Sequence, residues 1–108
     1  MSSIKWDEMD LLDFFETVPV CIGEGGAGEY IYSQNQNENQ WSISFFLSVY
    51  ENRISVSISY CDHVIVSLQF DGVQEVKKRG DYILVDISPD IEVCIGKAPF
   101  YNIQKIFR

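Results

Sequence analysis

The chain has 108 residues and a mass of 12.4 kDa, the size of one domain spanning residues 1–108 and too short for two. Apolar residues make up 46% and charged residues 22%, which excludes a disordered chain. Sixteen acids against eight bases give a net charge of −8 and a pI near 4.4, which argues against nucleic-acid and anionic-membrane partners, since both need a positive field. A basic partner fits.

The excess is unevenly placed. Residues 1–52 hold nine acids and one base, Lys5, whereas residues 53–108 hold seven of each. The first half therefore carries the whole imbalance, more than solubility alone requires. No basic-then-apolar leader opens the sequence, and no apolar run nears the roughly 18 residues of a membrane span. Cys21, Cys61 and Cys94 are odd in number, far apart and set among apolar neighbours, a pattern of free thiols in a reducing compartment. The expected location is the cytoplasm.

The first element is a helix expected over about residues 4–17, with Ser2 or Ser3 as its cap and Asp7 and Glu8 near the positive end of its dipole. Met9, Leu12 and Phe15, with Leu11, Phe14 and Val18, form a broad apolar stripe. Asp10, Asp13 and Glu16 form a separate row at i, i+3, i+6, whose mutual repulsion calls for compensation. Pro19 ends the helix. Gly23–Gly28 then reads as a flexible loop, Glu29–Ser33 as a strand and Gln34–Gln40 as a polar turn.

From Trp41 the period becomes two. Trp41, Ile43, Phe45, Leu47 and Val49 alternate with mostly serine, and Ile54, Val56, Ile58 and Tyr60 do the same, as in half-buried antiparallel strands. A two-residue turn at Glu51-Asn52 would set Phe45 opposite Ile58, and a loop at Asp62-His63-Val64 would set Ile58 opposite Leu68. Val64–Phe70 is the next strand. Asp71-Gly72 signals a hairpin leading to a short strand at Val73–Lys77. Lys77-Lys78-Arg79-Gly80 reads as a basic turn, Tyr82–Ile87 and Ile91–Ile95 as strands, and the segment after Pro99 as helix or edge strand. The expected architecture is an α+β domain, mostly β: an antiparallel meander over about residues 29–108, curled or split into a two-layer sandwich, with one N-terminal helix.

Catalytic constellations are thin. His63, the lone histidine, and Cys61 at i, i+2 would supply a dyad for a small enzyme, but the expected hairpin puts His63 at a loop tip. A zinc site would need two further ligands. The glycines at 23–28 lack the helix and the basic side chain of a phosphate loop, and Glu24 and Glu29 flank them with the wrong sign. No cofactor, metal or catalytic group is expected. The acids instead form candidate recognition groups: Asp10, Asp13 and Glu16 on the helix, with Glu24, Glu29 and Glu38 on the following loops. Tyr32 and Tyr50 are candidate aromatic anchors, and Phe46, out of phase among serines, marks either a second apolar layer or a further anchor.

Leu11-Leu12-Asp13-Phe14-Phe15-Glu16 followed by Pro19 resembles the opening helix of small bacterial immunity proteins. The stretch Val66–Ile87, with Phe70-Asp71-Gly72-Val73 leading to Arg79-Gly80-Asp81-Tyr82-Ile83, is similar to their hairpin pattern. These proteins serve contact-dependent growth inhibition and related polymorphic toxin systems. The resemblance implies a bacterial cytoplasmic protein that is not an enzyme. It would bind the C-terminal domain of a cognate toxin, as a 1:1 heterodimer, and block its active site. Such toxins are often basic nucleases, here an RNase ahead of a DNase, and carboxylates spaced like phosphates would fill the nuclease groove. An adaptor or chaperone for an unrelated basic protein would share the acidic surface without suppressing a nuclease.

Overall fold

Ile4, expected in the helix, is instead extended and almost fully buried, because its backbone is needed elsewhere. In the computed structural model, which describes residues 3–23, 28–36, 40–97 and 101–107, Ile4 N–H donates to Val49 O at 3.1 Å and Lys5 N–H donates to Gln74 O at 3.0 Å. Lys5 also forms an isolated parallel bridge with Glu75. The N-terminal segment thus ties two parts of the molecule together before any helix begins. The helix, α1, spans Glu8–Phe15. Asp7, rather than Ser2 or Ser3, caps it: its backbone is extended, and Asp7 Oδ1 accepts the Met9 N–H at 2.8 Å. Glu16 closes it in the left-handed region, earlier than Pro19 would require.

The strands form two antiparallel sheets. The first runs β1 (Val20–Ile22), β2 (Glu29–Gln36), β3 (Trp41–Ser48), β4 (Arg53–Tyr60) and β5 (His63–Asp71), in chain order. The second runs β6 (Glu75–Arg79), β7 (Tyr82–Ser88), β8 (Ile91–Gly96) and β9 (Asn102–Phe107). Ile43, Phe45, Leu47, Ile54 and Val56 from the first sheet and Val76, Ile83, Val85, Val93 and Ile95 from the second belong to one buried cluster, as in two sheets closed on a shared apolar layer. The mostly-β, two-sheet reading with one N-terminal helix therefore holds.

Register departs from expectation in an instructive way. Phe45 faces Val56, Leu47 faces Ile54 and Ile58 faces Val66, each two residues from the anticipated partner. A shift of two leaves every side chain on its own face, so the hydrophobic pattern cannot choose between these registers; the turns do. Between β3 and β4 the chain uses four turn residues, Val49–Asn52, with Asn52 at φ 53°. Between β4 and β5 it uses two, Cys61 and Asp62, both at positive φ, which matches the twist of a two-residue hairpin. A bulge beside Ile58 and Ser59 absorbs the difference.

Two further expectations are corrected, and one left open is decided. Asp71-Gly72 makes no hairpin: Gly72 lies where the chain leaves the first sheet, and Asn52 holds the crossing through its O to Val73 N–H and its Nδ2–H to Val73 O. The strand expected at Val73–Lys77 lies at Glu75–Arg79, so Lys77–Arg79 form a strand and the turn falls at Gly80-Asp81. Of the two alternatives for the segment after Pro99, helix or edge strand, the structure takes the second: β9 lies at the edge of the second sheet.

Helix α1 is fixed by three fully buried side chains, Leu11, Phe14 and Phe15. The Phe15 ring lies 5.4 Å from that of Tyr32, 5.5 Å from that of Phe45 and 4.8 Å from that of Phe14, spacings at which aromatic pairs attract beyond their buried area. Replacing Phe15 by Ala should therefore cost about 3–5 kcal/mol. Urea unfolding monitored by tryptophan fluorescence reads that loss as a lower midpoint with little change in slope.

Candidate functional site

The surface of α1 divides into three faces. Leu11, Phe14 and Phe15 point inward. Asp10 and Asp13 turn toward β6: Asp10 Oδ2 accepts the Lys78 N–H at 3.1 Å, and Asp13 Oδ2 lies 2.9 Å from Lys78 Nζ. Glu16 continues the row, accepting from Gln34 Nε2 at 2.8 Å and lying 3.9 Å from Lys97 Nζ. The repulsion within this acidic row is therefore offset by two lysines from the second half of the chain. Lys97 also donates to Phe14 O at 2.8 Å and stands 5.0 Å above the Phe14 ring. A cation at that carbonyl suits the negative end of the helix.

The sequence reads the acidic row as a solvated recognition face whose repulsion calls for compensation, and the two lysines supply it. The row is thus a set of intramolecular contacts, although Asp13 and Glu16 side chains remain about 70% exposed (71% and 70%). Lys78 hydrogen-bonds the Asp13 carboxylate and holds it below its ordinary value of 3.8, while Asp13 in turn raises the Lys78 ammonium.

The third face of α1, carrying Glu8, Met9 and Leu12, is open. It forms one wall of a groove of about 280 Å³ whose other walls are Val18, Pro19 and Cys21 and whose floor is Tyr30 and Tyr32. Met9 is 67% exposed and Val18 77%. Glu8 is the one charged residue lining it among the described residues. Chain direction makes this groove: α1 ends at Glu16, Pro19 follows, and the short strand β1 returns beside β2, with Cys21 paired to Tyr30.

The other candidates are scattered. Glu29 begins β2, opposite Ile22 and Ser48. Tyr50 is 63% exposed in the β3–β4 turn. Its ring lies against Gly28, where an added Cβ would stand 2.6 Å from Tyr50 Cε2 and where φ is +71°; a glycine is thus required there twice over. Tyr32 is corrected: it is 1% exposed and stacked on Phe15, so it belongs to the core and offers no anchor. Burial, with the nearby Glu8 charge, pushes its phenol up to about 12. Glu24 and Glu38 lie outside the described residues. Phe46 is half-buried on the outer face of β3, beside Ile31 and Ser55.

Cys61 sits in the β4–β5 turn with its thiol donating to Gln40 Oε1 at 2.8 Å, and His63 opens β5 opposite Tyr60 rather than at a loop tip. Among the described residues, no three His, Cys, Asp or Glu side chains are grouped as metal ligands. No helix among them is long and apolar enough to cross a membrane.

No protein-family model matches the sequence, and no curated protein matches it. A solved structure does: a chain of the contact-dependent growth inhibition toxin–immunity protein complex from Klebsiella pneumoniae 342, with a TM-score of 0.82, 26% identity and 97% of each chain covered. This chain has the fold of a growth-inhibition immunity protein. The likeness to that class is thus shown over nearly the whole length, although Asp71-Gly72, one of the motifs it is read from, is a crossing between sheets and not a hairpin.

The sequence pattern places Met9, Leu12 and Val18 in the core stripe, whereas the structure leaves them lining the groove. The signal was present: apolar residues at 9, 11, 12, 14 and 15 surround more than half of a helix that has only one side to bury.

The Asp13–Lys78 pair gives a signed pH dependence. Because the folded carboxyl titrates below 3.8, its contribution is present at neutral pH and is lost as pH falls through the folded value. Wild-type protein should exceed Asp13→Asn in urea midpoint at pH 7, and the gap should close as pH falls below 3.8. A gap that stays constant over that range would remove Lys78 as the cause.

Proposed function

We propose that this chain is the immunity protein of a contact-dependent growth inhibition system. It works in the bacterial cytoplasm, as a single domain, binding the C-terminal domain of its cognate toxin one to one. It neutralises the toxin by covering the active site, and it turns over no substrate. The observation that carries this reading is the full-length likeness to a chain of a toxin–immunity complex, 97% covered in both directions. The acidic balance supports a basic toxin, and a nuclease is the toxin class whose active site must be basic to hold nucleic acid. An RNase is favoured over a DNase.

Acids concentrated in the first half of the chain would accelerate encounter with such a toxin, an effect that salt screens. The deciding experiment is co-expression with a candidate toxin domain, taken from a large secreted protein in a neighbouring reading frame. Cells carrying that domain and this chain should grow, cells carrying the domain alone should stop, and the purified pair should elute as a 1:1 complex. Growth arrest that persists despite expression of this chain would reject the reading.

The acidic contribution has its own check. Neutralising Asp13 and Glu16 together (Asp13→Asn, Glu16→Gln) should slow association severalfold at low salt and flatten its dependence on ionic strength. Stopped-flow mixing at several salt concentrations measures both. An unchanged association rate would put the steering charge elsewhere, with Glu8 and Glu29 next to be exchanged.

A further inference from the structure

We infer that the groove between α1 and β1 is the anchor socket of the toxin interface, and that it receives an apolar side chain carried on a positively charged segment of the toxin. This rests on the immunity reading above and says where, and by what chemistry, the complex is held.

The occupant follows from the walls. Met9, Leu12, Val18 and Pro19 with the Tyr30 ring make an apolar lining around about 280 Å³, at the lower end of the roughly 300–1,000 Å³ of ligand sites. Among the described residues Glu8 is the one charged side chain in the lining, with Cys21, Tyr30 and Tyr32 the other residues there that carry a polar atom on the side chain. A side chain of a partner protein fits this space and this chemistry. Large apolar residues exposed as far as Met9 and Val18, at 67% and 77%, and gathered in a concavity are a mark of an interface rather than of solvated surface.

Charge selects between partners. Glu8 stands at the rim, Asp7 caps the same helix, and the Asp13 and Glu16 carboxylates lie on the adjoining face. The whole chain carries −8. A second copy of this chain would bring like charge to the groove, whereas a basic toxin brings the opposite sign. The same helix thus presents steering charge and an apolar anchor side by side, the usual arrangement of a central contact with a polar rim.

The test is binding of the candidate toxin domain used in the co-expression experiment, measured by biolayer interferometry, with four forms of this chain in full length: wild type, Met9→Ser/Val18→Ser, Glu8→Gln and Val64→Ser. Both groove side chains are mostly exposed, so the double variant keeps its fold, which a thermal scan verifies. It should bind about tenfold or more weakly, through faster dissociation, with an unaltered salt slope. Glu8→Gln should act on association and flatten its salt dependence. Val64, 63% exposed on β5, is remote in sequence and outside the groove, and Val64→Ser should bind as wild type does. Equal binding by the double variant and wild type overturns the socket while leaving the immunity reading intact. Equal weakening by Val64→Ser also overturns it. No binding by wild type rejects the immunity reading itself, and the socket with it.

Discussion

The packing of Phe15 between Tyr32 and Phe45 is the contact on which the rest of the molecule depends. A sheet of β1–β5 and a sheet of β6–β9 can share an apolar layer, but the layer has open ends where backbone and ring edges would meet water. Helix α1 closes one of them with Leu11, Phe14 and Phe15, each fully buried. Eight residues are too few for a helix to persist alone in water. It exists because those three side chains are buried and because Asp7 and Lys97 satisfy its two ends. Everything on its outer surface, including the acidic row and the open groove, is held in place by that burial.

The charge asymmetry acquires a structural meaning through the same helix. The acids of the first half and the lysines of the second are not independent populations: Lys78 and Lys97 reach across from the second sheet to Asp10, Asp13 and Glu16. Part of the negative charge is thereby spent on joining the helix to the sheets. Such exposed pairs contribute little to stability individually. Their effect is to let three carboxylates stand on one short helix without driving it apart. The Asp13 and Glu16 carboxylates nonetheless remain largely in solvent.

The alternation from Trp41 to Tyr60 was enough to name the strands, because one face of the first sheet is buried and the other is serine-rich. Alternation has period two, however, and is blind to a slip of two; the register followed from the four-residue turn at Val49–Asn52 and the positive φ of Cys61 and Asp62, for which cysteine carries no recognisable signal. The crossing at Gly72 was misread because a hairpin and an inter-sheet crossing use the same Asp-Gly chemistry, and only the Asn52–Val73 hydrogen bonds distinguish them. The helix began late because Ile4 is apolar enough to look helical and was needed as a strut. Among the site residues, the acids of the helix were legible as a group. Their lysine partners lie more than sixty residues away, beyond the reach of local pattern. Tyr32 was misplaced because an aromatic residue near acids looks like an anchor, and only the fold shows that Phe15 lies upon it.

An acidic row beside an apolar groove on one helix brings together two kinds of interaction with different ranges. Long-range charge raises the rate of encounter, but exposed carboxylates are screened at physiological salt and contribute little to residence. Burial of apolar side chains works at contact only, is indifferent to salt, and mainly slows dissociation. Neither alone gives both properties. Asp13 and Glu16 each stand one helical turn (i, i+4) from Met9 and Leu12, so carboxylates and apolar side chains share neighbouring strips of α1, and the burial of Phe15 fixes how those strips face outward. The aromatic core contact is therefore also what sets the geometry of the surface.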